Sequence, residues 1–372
     1  LILQTQGECR FPAGFTGNAC EGRKRRAAST NHQNHPRGGF LFVDHNTSLT
    51  IGLRVPRVLF NMNFRTLAFC FSLLATSLFL SSGISADNTV NGHKDTWLKS
   101  IHEVWTEEDF EFKNSATSPL AGVSRFEISE TSSVYFAVED GQLGWTTEKT
   151  VPTSFSLLNT EDGWQWTGIA EDVNLTRKEN TVPTGSLLSA GDNFQVERFT
   201  VQFYPSKDAV TALVFDPDTQ RINEFTGLDR FEANSKFAVT AKIKRFESPQ
   251  QLDLITGLQR FKKQYRYAKL QFEVDGTPHE LTAYKHALEG AGSNSLFIPF
   301  TDKTSGKQTY GGGRYLIVDE PSEGDELQID FNLVINPLCS YADIYNCIVP
   351  TRENKLPIAV LAGVKKYDFP GH

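Results

Sequence analysis

Between Phe126 and Ala362 the chain returns repeatedly to short runs of Val, Ile, Phe, Tyr, Trp and Thr, each ended by a turn-forming cluster. Branched and aromatic side chains of this kind fit a pleated, half-buried surface, so the runs predict strands. The clearest in the first part are Val134–Val138, Trp164–Gly168, Phe194–Phe203 and Val210–Phe215. A second series follows in Phe237–Lys244, Leu270–Val274, His279–Tyr284, Ser295–Phe300, Arg314–Val318, Leu327–Asn332 and Pro357–Ala362. Asp140-Gly141, Glu161-Asp162-Gly163, Asp216-Pro217-Asp218 and Asp275-Gly276 separate strands with residues that supply a positive φ, a fixed φ or a local side-chain hydrogen bond. Helical spacing is confined to one clear segment, where Asp95 is placed to cap and Trp97, Ile101, Val104, Trp105 and Glu108 recur at helical intervals. The run Glu107 to Asp109 reads as a solvated face, and Ser118-Pro119 ends the helix. The expectation is a mainly β protein, built of antiparallel sandwich or barrel-like units with a short N-terminal helix.

The first 86 residues are of another kind. Met62 is the sole methionine, and Arg65, the apolar stretch Leu67–Leu80 and the small residues from Ser81 to Ala86 follow it in the order of an export signal. The apolar stretch is shorter than the ~20 residues that cross a bilayer. A signal peptide over 62–86, cleaved after Ala86, is therefore expected in place of a stable transmembrane span. Cys70 lies inside the apolar run behind bulky Phe69, which argues against a lipid anchor. Residues 1–61, including the basic cluster Arg23 to Arg26, read as upstream sequence of an over-extended gene model or as a disordered extension. The rest divides into a helical segment over 87–122, an N-terminal β region over 123–222 and a C-terminal β domain over 223–372. Nine of the 37 basic and three of the 44 acidic residues lie in the first 86, so the remainder carries a net charge of −13. Such a surface repels nucleic acid but leaves room for a local basic pocket that takes a small anion. It names no protein partner.

Residues 302–314 hold the densest chemistry: Asp302, Thr304, Ser305, Tyr310, then Gly311, Gly312, Gly313 and Arg314. Glycines let backbone N–H groups approach a ligand, and an arginine beyond them offers a fork to carboxylate or phosphate. Tyr310 beside that cation would titrate low and serve as acid or base, with Asp302 orienting either one. Asp330 and Asn332, two apart on a strand, share a face and could wall the same pocket. An architectural reading stands beside this one. Asp302, Thr304 and Ser305 are also turn formers, the glycines suit a bulge, and Arg314 could pair with Asp330. The order of residues is neither a P-loop nor a dinucleotide fingerprint. A triad of Ser305, His286 and Asp302 lacks the Gly-x-Ser-x-Gly elbow.

Cys339 and Cys347 lie eight positions apart beyond Pro337. In an oxidising compartment they are expected to close a small disulfide ring, with buried free thiols as the alternative. A metal site is not expected, since a closed zinc site takes four protein ligands and no histidine lies close in the chain.

The order Thr304 to Leu316, the triplet Asp330-Phe331-Asn332, the segment Asn336-Pro337-Leu338-Cys339 through Cys347, and the tail Glu353-Asn354-Lys355-Leu356-Pro357 together resemble the DUF1684 family, bacterial and archaeal proteins without an established activity. The resemblance is specific from residue 296 onward and looser before 220, although Phe225 to Phe231 fits it. It implies a functional role for the hydroxyl-glycine-arginine order. Where the family runs Asn-x-x-Tyr-Asn-Pro-Pro-Cys and then Cys-Pro-Leu-Pro-Pro, this chain has Val334-Ile335-Asn336-Pro337-Leu338-Cys339 and Cys347-Ile348-Val349-Pro350, so an apolar residue stands in place of that tyrosine. The echo of Gly227-Leu228-Asp229-Arg230-Phe231 in Gly257-Leu258-Gln259-Arg260-Phe261 reads as a recurring turn and not as a repeat.

Three functions fit these residues. The first is a bacterial envelope module that binds a small carboxylate or phosphate through Arg314, the glycine loop, Thr304, Ser305, Asp330 and Asn332. The second is an enzyme using Tyr310 and Arg314 for acid-base or oxyanion chemistry, and the third is a structural or partner-binding envelope protein. No cofactor is expected; a flavin whose phosphate meets the arginine is a minor variant that a yellow sample would reveal.

Overall fold

The computed structural model describes residues 86–149, 153–168, 173–177 and 180–369. The extension 1–61 and, apart from Ala86, the export signal expected over 62–86 lie outside them. A helix α1 (Ala86–Asn114) leads into ten strands: β1 (Gly122–Ser129), β2 (Ser133–Glu139), β3 (Gln142–Thr146), β4 (Phe155–Thr160), β5 (Gly163–Gly168), β6 (Asn174–Arg177), β7 (Asn180–Thr181), β8 (Asp192–Val196), β9 (Phe199–Pro205) and β10 (Ala209–Phe215), among the described residues. After a one-turn helix α2 (Gln220–Asn223) come β11 (Ala238–Ile255), β12 (Phe261–Val274), β13 (Thr277–Lys285), β14 (Ser295–Phe300), β15 (Arg314–Asp319) and β16 (Glu326–Asp330). All of the strand pairs are antiparallel. No helix among the described residues is long and apolar enough to cross a membrane.

Alternation along each strand sends one set of side chains inward, and in the N-terminal region those sets come from two sheets. The order β1-β10-β9-β8-β6-β7 faces the order β3-β2-β4-β5, and both contribute to one core that includes Ile128, Val134, Leu157, Trp164 and Val201. At its centre Phe136 stacks on Phe155 at 4.5 Å and Phe155 on Phe194 at 4.4 Å, while Phe203 meets all three edge-on. Offset and edge-to-face packing of this kind adds to the burial of the rings themselves. The backbone of β5 also bonds to Ser186 and Leu188 ahead of β8, which joins the two sheets.

The C-terminal sheet runs β15-β14-β13-β12-β11-β16 around a core of Leu270, Ala283, Ile298, Phe300, Leu316 and Phe331 among others. It nearly closes on itself. Beyond β16, Ile335 forms an antiparallel bridge with Tyr315 on the opposite edge, with N–H···O distances of 2.9 and 3.0 Å. A third cluster lies between the two regions, where Phe112 at the end of α1, Leu213 and Phe215 on β10, Phe225, Tyr341 and Ile344 pack together.

Three of the expected strands differ. Phe194–Phe203 is a hairpin, because the chain turns at Glu197 with φ +51°. Leu327–Asn332 stops at Asp330, whose carboxylate accepts from the Asn332 N–H and starts a 3-10 turn. Pro357–Ala362 is no strand, since the Val360 N–H and the Val360 and Ala362 carbonyls are taken by the Asp302 and Arg314 side chains instead of a ladder. The helix begins at Ala86 and so runs through Asp95, which caps nothing. Ile101 and Phe112 on its apolar side are buried. Glu108 and Asp109 are not a solvated run: both grip Arg230, at 2.8 Å each, and the arginine side chain is only 7% exposed. Gly227–Phe231 is irregular and Gly257–Phe261 is a hairpin tip, so the two similar segments are not repeats.

One residue of the Glu353–Pro357 tail is a structural splice. β13 and β14 pair at Tyr284 and Phe297 and then part, and the fully buried Asn354 side chain occupies the gap. Its amide accepts from Thr282 N–H at 2.7 Å and donates to the Thr282 and Pro299 carbonyls, both at 2.8 Å. It thus replaces a missing stretch of ladder. Asn354→Ala should destabilise the protein by about 3 kcal/mol or more, because three buried backbone groups lose their partner. Asn354→Asp should not rescue it, as a carboxylate cannot donate to the two carbonyls; urea unfolding of the three proteins checks both statements.

Candidate functional site

The loop between β14 and β15 is closed by its own side chains, as compact surface loops are. Asp302 is the hub. One carboxylate oxygen accepts from Thr304 and Ser305 hydroxyls at 2.7 and 3.0 Å, and the other accepts from the Val360 N–H at 2.7 Å. The Thr304 hydroxyl also meets that of Thr309 at 2.8 Å, and the Gly306 N–H reaches the Thr309 carbonyl. Gly313 ends the loop with φ +86°, where a Cβ would stand 2.5 Å from the Phe300 carbonyl oxygen. Only glycine fits there. Gly311 and Gly312 are less enclosed, although a Cβ at Gly312 would strike the Tyr310 ring.

Arg314 is 1% exposed. Its guanidinium donates to the Ala362 and Val364 carbonyls at 2.6 and 3.3 Å from one nitrogen, and to the Val360 carbonyl and Asp302 at 2.9 and 3.4 Å from the other. Of the five N–H donors of an arginine, the Nε–H alone has no partner. Burial draws its pKa down to about 10 against the pull of Asp302, which leaves it charged at neutral pH. The carboxylate paired with it is Asp302 and not Asp330. What the fork holds is the chain segment 360–364.

The other expected site residues go elsewhere. Asp330 accepts from the Trp97 indole N–H at 2.8 Å and from the Asn332 side chain at 2.6 Å. Asn332, fully buried, is bonded through its amide to both backbone groups of Asn234, and its carbonyl accepts from Trp105. This pair is therefore the seat of α1 and does not share a pocket with Arg314. Glu353 joins a second polar group: Arg266 holds it with two bonds and Tyr284 donates to it at 2.7 Å. Burial would raise this carboxyl, but hydrogen bonds from Arg266, Tyr284 and Thr282 outweigh it and hold the group down to about 2.

Tyr310 turns away from Arg314. Its hydroxyl lies 3.8 Å from the Cys339 sulfur. Burial pushes the phenol up, and the neighbouring sulfur adds to the effect, so the low pKa expected from an adjacent cation is replaced by a high one. Cys339 and Cys347 are free thiols, each partly exposed, and they touch: the Cys339 N–H donates to the Cys347 sulfur at 3.2 Å. The neighbouring Cys347 side chain is the main influence on Cys339. Together with the Tyr310 hydroxyl, the local backbone and the charge of Lys262, it outweighs burial and brings Cys339 down to about 7. The same contact and burial push Cys347 up. Sequence reading found both cysteines and Tyr310 but placed them in separate sites. Lys262, on a hairpin far upstream, carried no signal at all. Among the described residues no group of three His, Cys, Asp or Glu side chains is arranged to hold a metal.

Over residues 223–365 the chain matches the sequence profile of a family described as protein of unknown function (DUF1684). An uncharacterized protein of Haloarcula marismortui, solved by solution NMR, is similar at 37% identity; the match covers 39% of this chain and 80% of that one, with a TM-score of 0.34. No curated protein matches.

Arg314→Ala should cost about 3–5 kcal/mol of stability, because it leaves the buried Asp302 carboxylate uncompensated. Arg314→Lys should lose less, since it keeps the charge without the planar fork. With four of five donors engaged inside the protein, the thermal midpoint of the wild type should not move on adding phosphate, acetate or citrate at constant ionic strength. Calorimetry of the three proteins with and without those anions reads both effects.

Proposed function

We propose, for a chain that belongs to the DUF1684 family through residues 223–365, that the Cys339–Cys347 pair is its working centre and that it cycles between dithiol and disulfide in the bacterial envelope. One observation carries this reading: two partly exposed free cysteines side by side, with the Cys339 N–H on the Cys347 sulfur and the Tyr310 hydroxyl on the Cys339 sulfur. The remaining polar residues of the motif are engaged in bonds within the protein. A small anion at Arg314 is the competing function, and it would require the guanidinium to release the carbonyls of segment 360–364. Export from a start at Met62 would deliver the pair to an oxidising compartment, where such disulfides form.

The chemistry is thiol–disulfide exchange. The Cys339 thiolate attacks one sulfur of a substrate disulfide, whose S–S bond breaks and whose departing thiolate takes up a proton. Cys347 then gives up its proton and attacks the Cys339 sulfur, expelling the second substrate thiol. The substrate is reduced by two electrons and the protein gains an internal disulfide; the reverse sequence oxidises a dithiol. Tyr310, neutral because burial holds its pKa high, donates its hydrogen bond to the Cys339 thiolate.

A reversible pair and a purely structural disulfide differ in potential. Redox titration against glutathione, read by alkylation and peptide mass, should give a midpoint between about −180 and −280 mV, whereas a value below about −300 mV marks a structural bond. In the reduced protein, alkylation of Cys339 should rise with pH around a midpoint near 7, while Cys347 stays slow. Equal, slow reaction of both thiols at pH 7 would reject the assignment of Cys339 as attacker.

A further inference from the structure

The thiol pair borders an apolar surface. β11 and β12 meet in a hairpin tip where Ile255 and Phe261 face each other across the strands, Leu258 stands at the turn, and Val349 lies alongside. These side chains are exposed, Phe261 by 67% and the others by 41–44%. The tip is bonded to the segment that carries the thiols: the Gly257 N–H donates to the Cys347 carbonyl at 2.9 Å, the Leu258 N–H to the Asn346 side chain at 3.3 Å, and the Val349 N–H to the Ile255 carbonyl at 2.9 Å. Exposed apolar groups scattered singly are ordinary, but several gathered beside a reactive group mark a contact surface. Lys262 and Lys263 follow Phe261 and have no ion-pair partner among the described residues.

Resting on the thiol-exchange reading, we infer that the substrate disulfide is carried by a polypeptide that lies on this hairpin tip, with apolar side chains against Leu258 and Phe261 and an acidic one towards Lys262. The covalent chemistry requires a disulfide, and the surroundings select its carrier. A small hydrophilic disulfide gains nothing from the apolar surface, whereas a peptide covers it while presenting sulfur to Cys339. Consecutive strand residues point to opposite faces and Lys263 stands across from Asp253, so the unpaired cation is Lys262, whose charge reaches both thiols; on a chain whose residues after 86 carry a net charge of −13 it favours an acidic partner.

The experiment follows oxidation of the reduced full chain by three probes: glutathione disulfide, a synthetic peptide with one internal disulfide flanked by Leu, Phe and Glu, and the same peptide with Ser in place of Leu and Phe. The Leu/Phe peptide should react ~10-fold faster or more than the Ser peptide, as burial of two large side chains allows. Replacing its Glu by Lys should slow it severalfold. In the double variant Leu258→Ser, Phe261→Ser the advantage should vanish, while glutathione disulfide reacts as with the wild type. Equal rates for the two peptides, or an advantage that survives in the double variant, would overturn the docking surface and leave the exchange chemistry standing. Failure of every probe to oxidise Cys339 and Cys347 would overturn both.

Discussion

Asp302 and Arg314 are two opposite charges removed almost entirely from water, and the C-terminal domain is arranged so that neither is left without partners. A buried ion pair is costly unless hydrogen bonds satisfy what remains of each group. Here the carboxylate collects two hydroxyls and the Val360 N–H, and the guanidinium collects three carbonyls from residues 360–364. Those partners come from the loop itself and from the chain segment that lies across it. The Arg314 guanidinium also stands over the Phe300 ring at 5.5 Å, so the last residue of β14 and the first of β15 are clamped together. The loop, the edge of the sheet and the crossing segment become one solid piece.

The thiols depend on that piece at one remove. Tyr315, next to Arg314 on β15, bridges to Ile335 and donates its hydroxyl to the Ile348 carbonyl at 2.5 Å, beside Cys347. Asn336 donates to the Lys365 carbonyl at 2.8 Å, which ties the approach to Cys339 to the same segment that Arg314 holds. Both ends of the cysteine loop are thus fastened to the clamp. Tyr310 leaves the clamp at its other end and reaches Cys339. These buried hydrogen bonds hold the segments they join in one arrangement, and that arrangement sets the position of the sulfurs.

Much of the fold was legible because alternation and turn chemistry are local. Asp140-Gly141 and Asp275-Gly276 adopt positive φ at both residues, as the two-residue hairpins they announce require. The hairpin inside Phe194–Phe203 was hidden because Glu197, which takes the positive φ, is not a residue that signals a turn. Pro357–Ala362 looked like a strand because its residues are apolar, while the partners of its backbone are side chains almost fifty positions upstream. The site was read with the right residue types and the wrong directions. Asp302, Thr304, Ser305 and Arg314 are dense in the sequence because they satisfy one another. Tyr310, Cys339 and Lys262 converge only through sheet closure, which no spacing along the chain records.

The clamp also sets an order of events in time. Arg314 meets its carbonyl partners 46, 48 and 50 residues downstream, and Asp302 meets the Val360 N–H 58 residues downstream. During synthesis at ~5–20 residues per second, the arginine waits roughly 2–10 s before its partners exist. α1 waits longer still for Asp330, 233 positions away. The nascent domain therefore cannot lock while it is being made. A product that stops short of residue 360 keeps the Asp302–Arg314 pair but lacks the N–H and carbonyl groups that satisfy it out of water.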